Sequence, residues 1–255
     1  MASTRRTTSV LPVASVFKAV DLFCGLGGWT DGLLAEEYDV VGYDIERHQY
    51  GEDRYPAELI LQDVCTLHGS QFQDVDLITA SPPCQKYSYM AMPFSRGRAQ
   101  AAAIRADESG AALAALNELF NVCFRIQREA SEAAGRHIPM VVENVRGARP
   151  WVGPAVAHYG SFYLWGDVPL PLPDGAKSKL ARKYHGDWFS DPASPSRQGG
   201  QIKQRWFNDG PRNSDSLASS SSSSSNSLTR KAASAALAKI PLELARQVAR
   251  AHRPW

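Results

Sequence analysis

The sequence has few cysteines, no long apolar run and almost no net charge, and each shortage removes a class of protein. Its four cysteines, Cys24, Cys65, Cys84 and Cys123, form no CxxC pair and have no histidine partners at zinc spacing. Neither a structural metal nor a disulfide framework is indicated, and the cysteines read as free thiols of a reducing cytoplasm. Apolar runs stay under ten residues, far short of the roughly 20 that a membrane helix needs. The N-terminal Met1-Ala-Ser-Thr-Arg-Arg-Thr-Thr8 carries basic residues but no apolar core of signal-peptide length. The expectation is a cytoplasmic chain with no membrane and no metal.

Across the 255 residues, 44% hydrophobic and 21% charged residues are ordinary globular values, which excludes a wholly disordered or fibrous protein. That length buries a sizeable core in one or two domains. The net charge of +2 hides an asymmetry: residues 1–174 hold 14 Lys+Arg against 21 Asp+Glu, and residues 175–255 hold 14 against 5. A basic C-terminal third on an acidic body fits a polyanionic partner, although a solvated basic surface would give the same count.

Short apolar segments alternate with helical ones through residue 145. Strands are expected at Ser15–Phe23, Asp39–Asp44, Leu59–Asp63, Val75–Ala80 and Ile138–Glu143. A glycine turn, Cys24–Gly28, leads into a short helix ending near Ala35. A longer helix spans about Asp107–Ala134, with Leu113, Leu116, Phe120, Cys123 and Gln127 three or four apart, so Cys123 reads as a packing residue. This order implies an α/β fold with a doubly wound, mostly parallel sheet, whose sites lie beyond the carboxyl ends of its strands. Tyr159–Gly166 reads as a strand or hairpin, and Pro169–Pro173 interrupts regular structure. Residues 174–215 read as loop or a small irregular region, Ser219–Ser225 as a linker, and Pro241–His252 as a closing helix.

Three motifs fall at strand ends. Asp21-Leu-Phe-Cys-Gly-Leu-Gly-Gly28 runs from a strand through glycines into a helix, which lets backbone approach a ligand closely. Its spacing is not the G-x-G-x-x-G of a dinucleotide site. Asp44 and Asp63 end the next two strands; each is suited to accept bonds from a nucleoside, and each is equally suited to cap a helix. Ser81-Pro-Pro-Cys-Gln85 presents Cys84 stiffly after the fourth strand, and Val142-Glu-Asn-Val-Arg146 puts Glu143 at the end of the fifth. If those two strands are neighbours, about 4.8 Å apart, a nucleophile, an acid/base and a ligand cradle share one pocket.

Asp21-Leu-Phe-Cys-Gly-x-Gly-Gly, Pro83-Cys84-Gln85 and Glu143-Asn144-Val145 resemble, in order, the cofactor, nucleophile and glutamate motifs of the DNA (cytosine-5)-methyltransferases. Lys239-Ile-Pro-Leu-Glu-Leu-Ala245 resembles that family's last motif, and the short phage and prophage members are most similar. The resemblance covers roughly residues 16–166 and 231–250. It implies a Rossmann-like methyltransferase fold, S-adenosylmethionine as cofactor and double-stranded DNA as substrate. Cys84 would add to cytosine C6 and Glu143 would bind N3 and the exocyclic amine, with Arg146 assisting at the base. Phe23, Gly25, Gly27, Asp44, Asp63 and Pro83 would hold the cofactor. Gln85, Ser88, Arg96, Arg98 and Arg205 would meet DNA, the segment 86–98 matching a mobile loop whose aromatics or Met could pack near the flipped base. The implied organisation is a flexible N-terminus (1–14), a catalytic domain (15–168), a reduced target-recognition region with its serine linker (169–230) and a returning C-terminal helix (231–255).

The resemblance thins after residue 166. Where the family carries Gln-x-Arg-x-Arg, the nearest segment is Gln201-Ile-Lys-Gln-Arg205. The reduced recognition region implies a short or degenerate target. An RNA cytosine-5 methyltransferase and a cofactor- or DNA-binding remnant remain as alternatives, as do restriction–modification and phage self-protection for the biological role.

Overall fold

The computed structural model describes residues 17–87, 94–173 and 235–254. Its strands are β1 (Phe17–Leu22), β2 (Tyr38–Asp44), β3 (Gln49–Tyr50), β4 (Asp53–Arg54), β5 (Glu58–Leu61), β6 (Leu77–Ala80), β7 (Met140–Val145), β8 (Ala157–Tyr159) and β9 (Phe162–Gly166). Its helices are α1 (Gly28–Ala35), α2 (Phe94–Ala106), α3 (Ala111–Ala134), α4 (Arg149–Val152) and, after the undescribed stretch, α5 (Leu242–Ala251).

Seven strands form one sheet in the order β5-β2-β1-β6-β7-β9-β8. β5, β2, β1, β6 and β7 are mutually parallel, and the β8–β9 hairpin closes one edge antiparallel. From β1 the chain winds outward through β2 to β5, then returns to lay β6 and β7 on the other side. The order therefore reverses between β1 and β6, and the crevice beyond their carboxyl ends is where such a sheet binds ligands.

Alternation along the strands divides the core between two faces. Val20, Leu22, Ile78, Ala80, Met140 and Val142 pack toward Phe120, Cys123, Ile126 and Ala130 of α3. Ala19, Val40, Leu77, Val141 and Leu164 pack toward Trp29 and Leu33 of α1 and toward Leu244, Ala245 and Val248 of α5. Cys123 is fully buried on the α3 stripe, as its spacing predicts.

α5 lies against α1, and the approach is close enough that a Cβ at Gly32 would collide with Ala245. Charge fixes the same joint. Arg246 Nε and Arg250 Nε reach Glu36 Oε1 at 2.7 and 2.9 Å, and the Tyr38 hydroxyl donates to the Ala249 carbonyl at 3.0 Å. Glu36 is only 4% exposed, so its carboxylate depends on these cationic partners.

Two regions depart from the expected pattern. The end of the segment expected as a loop is helical: α2 begins at Phe94, driven by Ala99, Ala101, Ala102 and Ala103, strong helix formers that give no amphipathic stripe. The β3–β4 ribbon was not expected either, because its residues are polar and lack strand alternation. The expected N-terminus 1–14, the serine linker and most of the recognition region lie outside the described residues.

Candidate active site

The crevice has two sides. On the β1–β2 side the chain leaves β1 into a turn with three positive φ angles, Phe23 at 54°, Gly25 at 52° and Gly27 at 75°. Phe23 is the costly member, since a side chain disfavours this conformation. Gly27 is obligatory on two counts, its φ and a Cβ position that would strike Pro56; above Gly25 the space is open. The turn is tied down by Cys24 N–H to the Tyr43 carbonyl at 3.2 Å and Gly25 N–H to Asp44 Oδ2 at 2.9 Å.

Asp44 is buried at the end of β2. Burial alone would raise its pKa, but His48 and the Gly25 and Glu46 N–H groups bond the carboxylate and hold it below the ordinary value. Asp63 is exposed, and its Oδ1 accepts the Cys65 N–H at 2.9 Å as cap of the 3-10 turn Val64–Thr66. The capping role anticipated for either acid is thus filled by Asp63. Next to Asp44 stands Ile45, an apolar side chain 73% exposed. Only its neighbour's identity, not any periodicity, marks it in the sequence.

On the β6–β7 side, pairing of Ala80 with Val142 brings the next residues, Ser81 and Glu143, side by side. The two expected neighbours are therefore adjacent, although β7 continues to Val145, so Glu143 stands two residues before the strand's end. Asn144, 1% exposed, donates from Nδ2 to the Pro82 carbonyl at 2.9 Å and locks the proline turn onto β7. The Tyr87 N–H closes the turn beyond Cys84 on the Cys84 carbonyl at 2.9 Å.

Burial pushes the Glu143 pKa up to about 8, against the opposing hydrogen bond from Ser81. The Cys84 thiol is raised as well, by burial and then by the negative charge of Glu143. A raised pKa leaves the resting Cys84 as the neutral thiol. Tyr87 is also corrected: its hydroxyl bonds Asn117 Oδ1 at 2.9 Å and its ring is buried, so it anchors the turn to α3 rather than facing a base.

Beneath both sides lies a network the sequence did not reveal. Asp21, 1% exposed, accepts the Thr30 hydroxyl at 2.7 Å and the Thr79 hydroxyl at 3.2 Å, and the Thr30 and Tyr55 oxygens are 2.7 Å apart. Burial raises the Asp21 pKa to about 7 despite these bonds. Asp21 thereby supports the glycine turn from below, and strand parity in β1 and β6 would be its only sequence signal.

The structure thus brings Phe23, Gly25, Gly27 and Asp44 together, and Cys84 with Glu143. Pro83 and Gln85 are exposed beside Cys84. Arg146 follows β7 in a 3-10 turn, exposed, and with Arg149, Pro150 and Pro154 lines a cleft of about 410 Å³. Arg98 is on the exposed side of α2, whereas the Arg96 side chain, Ser88 and Arg205 lie outside what is described. Among the described residues, no helix is long and apolar enough to cross a membrane, and no group of three or more His, Cys, Asp or Glu could hold a metal ion.

Residues 17–101 match the family model of the C-5 cytosine-specific DNA methylases. A comparison with curated proteins finds no match. Among solved structures, the chain is similar to a putative DNA modification methyltransferase encoded within an E. coli prophage, with 22% identity over 52% of this chain and 33% of that one and a TM-score of 0.34. It is similar also to the Dnmt2 methyltransferase of S. pombe (16% identity, 52% and 36% covered, TM-score 0.32) and to the methyltransferase EhMeth of Entamoeba histolytica (15%, 52% and 39%, TM-score 0.31). The chain spans well under half the length of these proteins. The segment matched by that family model carries the glycine turn, Asp44, Asp63 and Cys84, whereas Glu143 lies beyond it.

Proposed function

We propose that the protein transfers a methyl group from S-adenosylmethionine to C5 of a cytosine flipped out of double-stranded DNA, with a transient bond between Cys84 and C6. The observation that carries this reading is the adjacency of Cys84 to a Glu143 carboxyl whose pKa is raised to about 8. Cytosine C5 is a weak nucleophile until a thiolate adds to C6 and pushes ring electrons toward C5 and N3. Cys84 forms that bond as it loses its proton. Glu143, kept as the acid by burial, donates to N3 and accepts from the exocyclic amine, so charge in the ring is neutralised as it builds. S-adenosylmethionine supplies the methyl group when bound. After transfer, loss of the C5 proton and rupture of the C6–S bond restore the aromatic ring and release the Cys84 thiolate. None of this can reach a stacked base, so the cytosine must be extruded.

The residues on the β1–β2 side suit that cofactor. Asp44 is a charged acceptor for ribose hydroxyls, and Asp63 keeps a carboxylate oxygen for an amino group. Ile45 offers an apolar face to an adenine ring, the open space above Gly25 admits a ligand against the backbone, and Phe23 and Pro83 complete the walls. Arg146 would bond the base, and Gln85, Ser88, Arg96, Arg98 and Arg205 would meet DNA. Residues 169–230 would form the reduced recognition region and give a short or degenerate target, because direct readout needs rigidly held side chains.

The test is tritiated-methyl transfer from S-adenosylmethionine to duplex DNA and to tRNA side by side, with bisulfite mapping of a plasmid from expressing cells. Methylated cytosines in DNA, at sites of two or three base pairs, are expected. Transfer to tRNA alone would move the substrate to RNA, and cofactor binding without transfer to either would make the protein a binding remnant.

A further inference from the structure

Glu143 does not stand alone at the strand ends. Strand parity turns Leu77, Thr79 and then Ser81 to the α1 face, and turns Val141 and then Glu143 to the same face. There Ser81 meets Trp29, the second residue of α1, whose Nε1 donates to Ser81 Oγ at 3.0 Å. Trp29 is 2% exposed and packed in the core between α1 and the sheet, so its indole N–H has a fixed direction. The register sets Ser81 beside Glu143 on the neighbouring strand, where its hydroxyl opposes the rise of the carboxyl's pKa.

The chemistry of these three groups sets the direction of the chain. An indole N–H can only donate, so Ser81 Oγ must accept from it. The serine has one hydroxyl proton, and with Trp29 on its oxygen that proton turns to the carboxyl of Glu143. One carboxyl oxygen is then engaged as an acceptor. The proton of the acid form is left for the other oxygen, free to meet a ring nitrogen.

We propose that Ser81 is a positioning residue for Glu143, oriented by Trp29, so that the helix closing the glycine turn sets the aim and the proton-bearing oxygen of the carboxyl. The proposal rests on the methyltransferase reading for what Glu143 does, but not for how Glu143 is held. The arrangement also connects the two sides of the crevice: α1 starts at Gly28, directly after the glycine turn, and Trp29 follows it. Of the ionisable groups at Glu143, the Cys84 thiol faces it after β6; from α1 the approaching group is the uncharged indole.

The experiment follows the infrared carboxylic-acid band of Glu143, identified as the band that Glu143→Gln removes, and titrates it in the intact protein. This distinguishes it from Asp21, whose burial makes it a second carboxylic acid near neutrality. Ser81→Ala takes away a donor to the charged form, so the midpoint should rise by about one pH unit. Turnover on DNA should fall about tenfold or more with the KM values for DNA and cofactor unchanged. Ser81→Thr keeps the hydroxyl and should restore both midpoint and turnover. Trp29→Phe keeps the ring and loses the N–H, and should move the midpoint in the same direction by less. An unmoved midpoint in folded Ser81→Ala overturns the proposal; should that variant not fold, an unmoved midpoint in Trp29→Phe does so. A shifted midpoint in a protein that methylates no nucleic acid would sustain the positioning role and remove the methyltransferase reading instead.

Discussion

Two carboxylates at the same end of one sheet, Asp44 closing β2 and Glu143 on β7, are driven to opposite ionisation states. Both are penalised by burial. Asp44 receives the Gly25 N–H at 2.9 Å, the Glu46 N–H and His48, and remains charged below the ordinary range. Glu143 is opposed only by the Ser81 bond and rises to about 8. The difference lies in the balance between burial and the donors the fold supplies: burial dominates at Glu143, and several donors outweigh it at Asp44. A charged acceptor suits hydroxyl groups of a bound nucleoside, whereas an acid that survives near neutrality suits donation to a ring nitrogen. On the proposed reading, the β1–β2 side holds the cofactor and the β6–β7 side reacts.

The sharpest way to break this division is Cys84→Ala. Methyl transfer should be abolished while the dissociation constant for S-adenosylmethionine, measured calorimetrically, is unchanged. A large loss of cofactor affinity would mean that the two sides are not separate. Glu143→Gln comes next, with turnover reduced roughly 10²- to 10⁴-fold, the usual span for losing a positioned acid. Its pH profile sharpens the point. In the wild type the donating form is lost as pH rises through about 8, so the rate should descend there. Glu143→Gln has no proton to lose and should lack that descending limb.

Asp44→Ala is the complementary change. It should weaken cofactor binding by about tenfold or more, the loss of a charged hydrogen-bond acceptor, with little change in kcat at saturating cofactor. An unchanged dissociation constant would take Asp44 out of the holding side. The smallest effect is expected at Tyr55→Phe, which removes a hydroxyl from the Thr30–Asp21 network under the turn. About 1 kcal/mol of stability should go, a drop of roughly 2–4 °C in Tm, with turnover retained. Calorimetric melting checks it, and a collapse of activity would make the network part of the reacting site.

Much of this division was legible in the sequence because strand ends in a parallel sheet are marked by apolar runs stopping at polar residues. That pattern places Asp44, Asp63, Cys84 and Glu143 at one edge, and the motif order supplies the resemblance. Register was not legible. Only the pairing of Ala80 with Val142 brings Ser81 beside Glu143, and only packing of α1 brings Trp29 to Ser81. The Arg246–Glu36 pair joins residues more than 200 apart in the chain, a separation no local pattern can carry. Cys84 was marked in the sequence by the Pro-Pro before it but not in its ionisation, because the raised pKa comes from burial and from Glu143 on another strand. α2 escaped because its alanines give helix propensity without a hydrophobic stripe.

Trapping with 5-fluorocytosine tests the central claim most directly. Fluorine at C5 cannot leave as the proton does, so the bond between the enzyme and C6 should persist after methyl transfer. Incubation with S-adenosylmethionine and a duplex containing 5-fluorocytosine should give a denaturation-resistant complex, with the nucleotide located on Cys84 by peptide mass spectrometry and the complex absent in Cys84→Ala. Methylation of ordinary duplex DNA without any such adduct, or an adduct on another residue, would contradict the account.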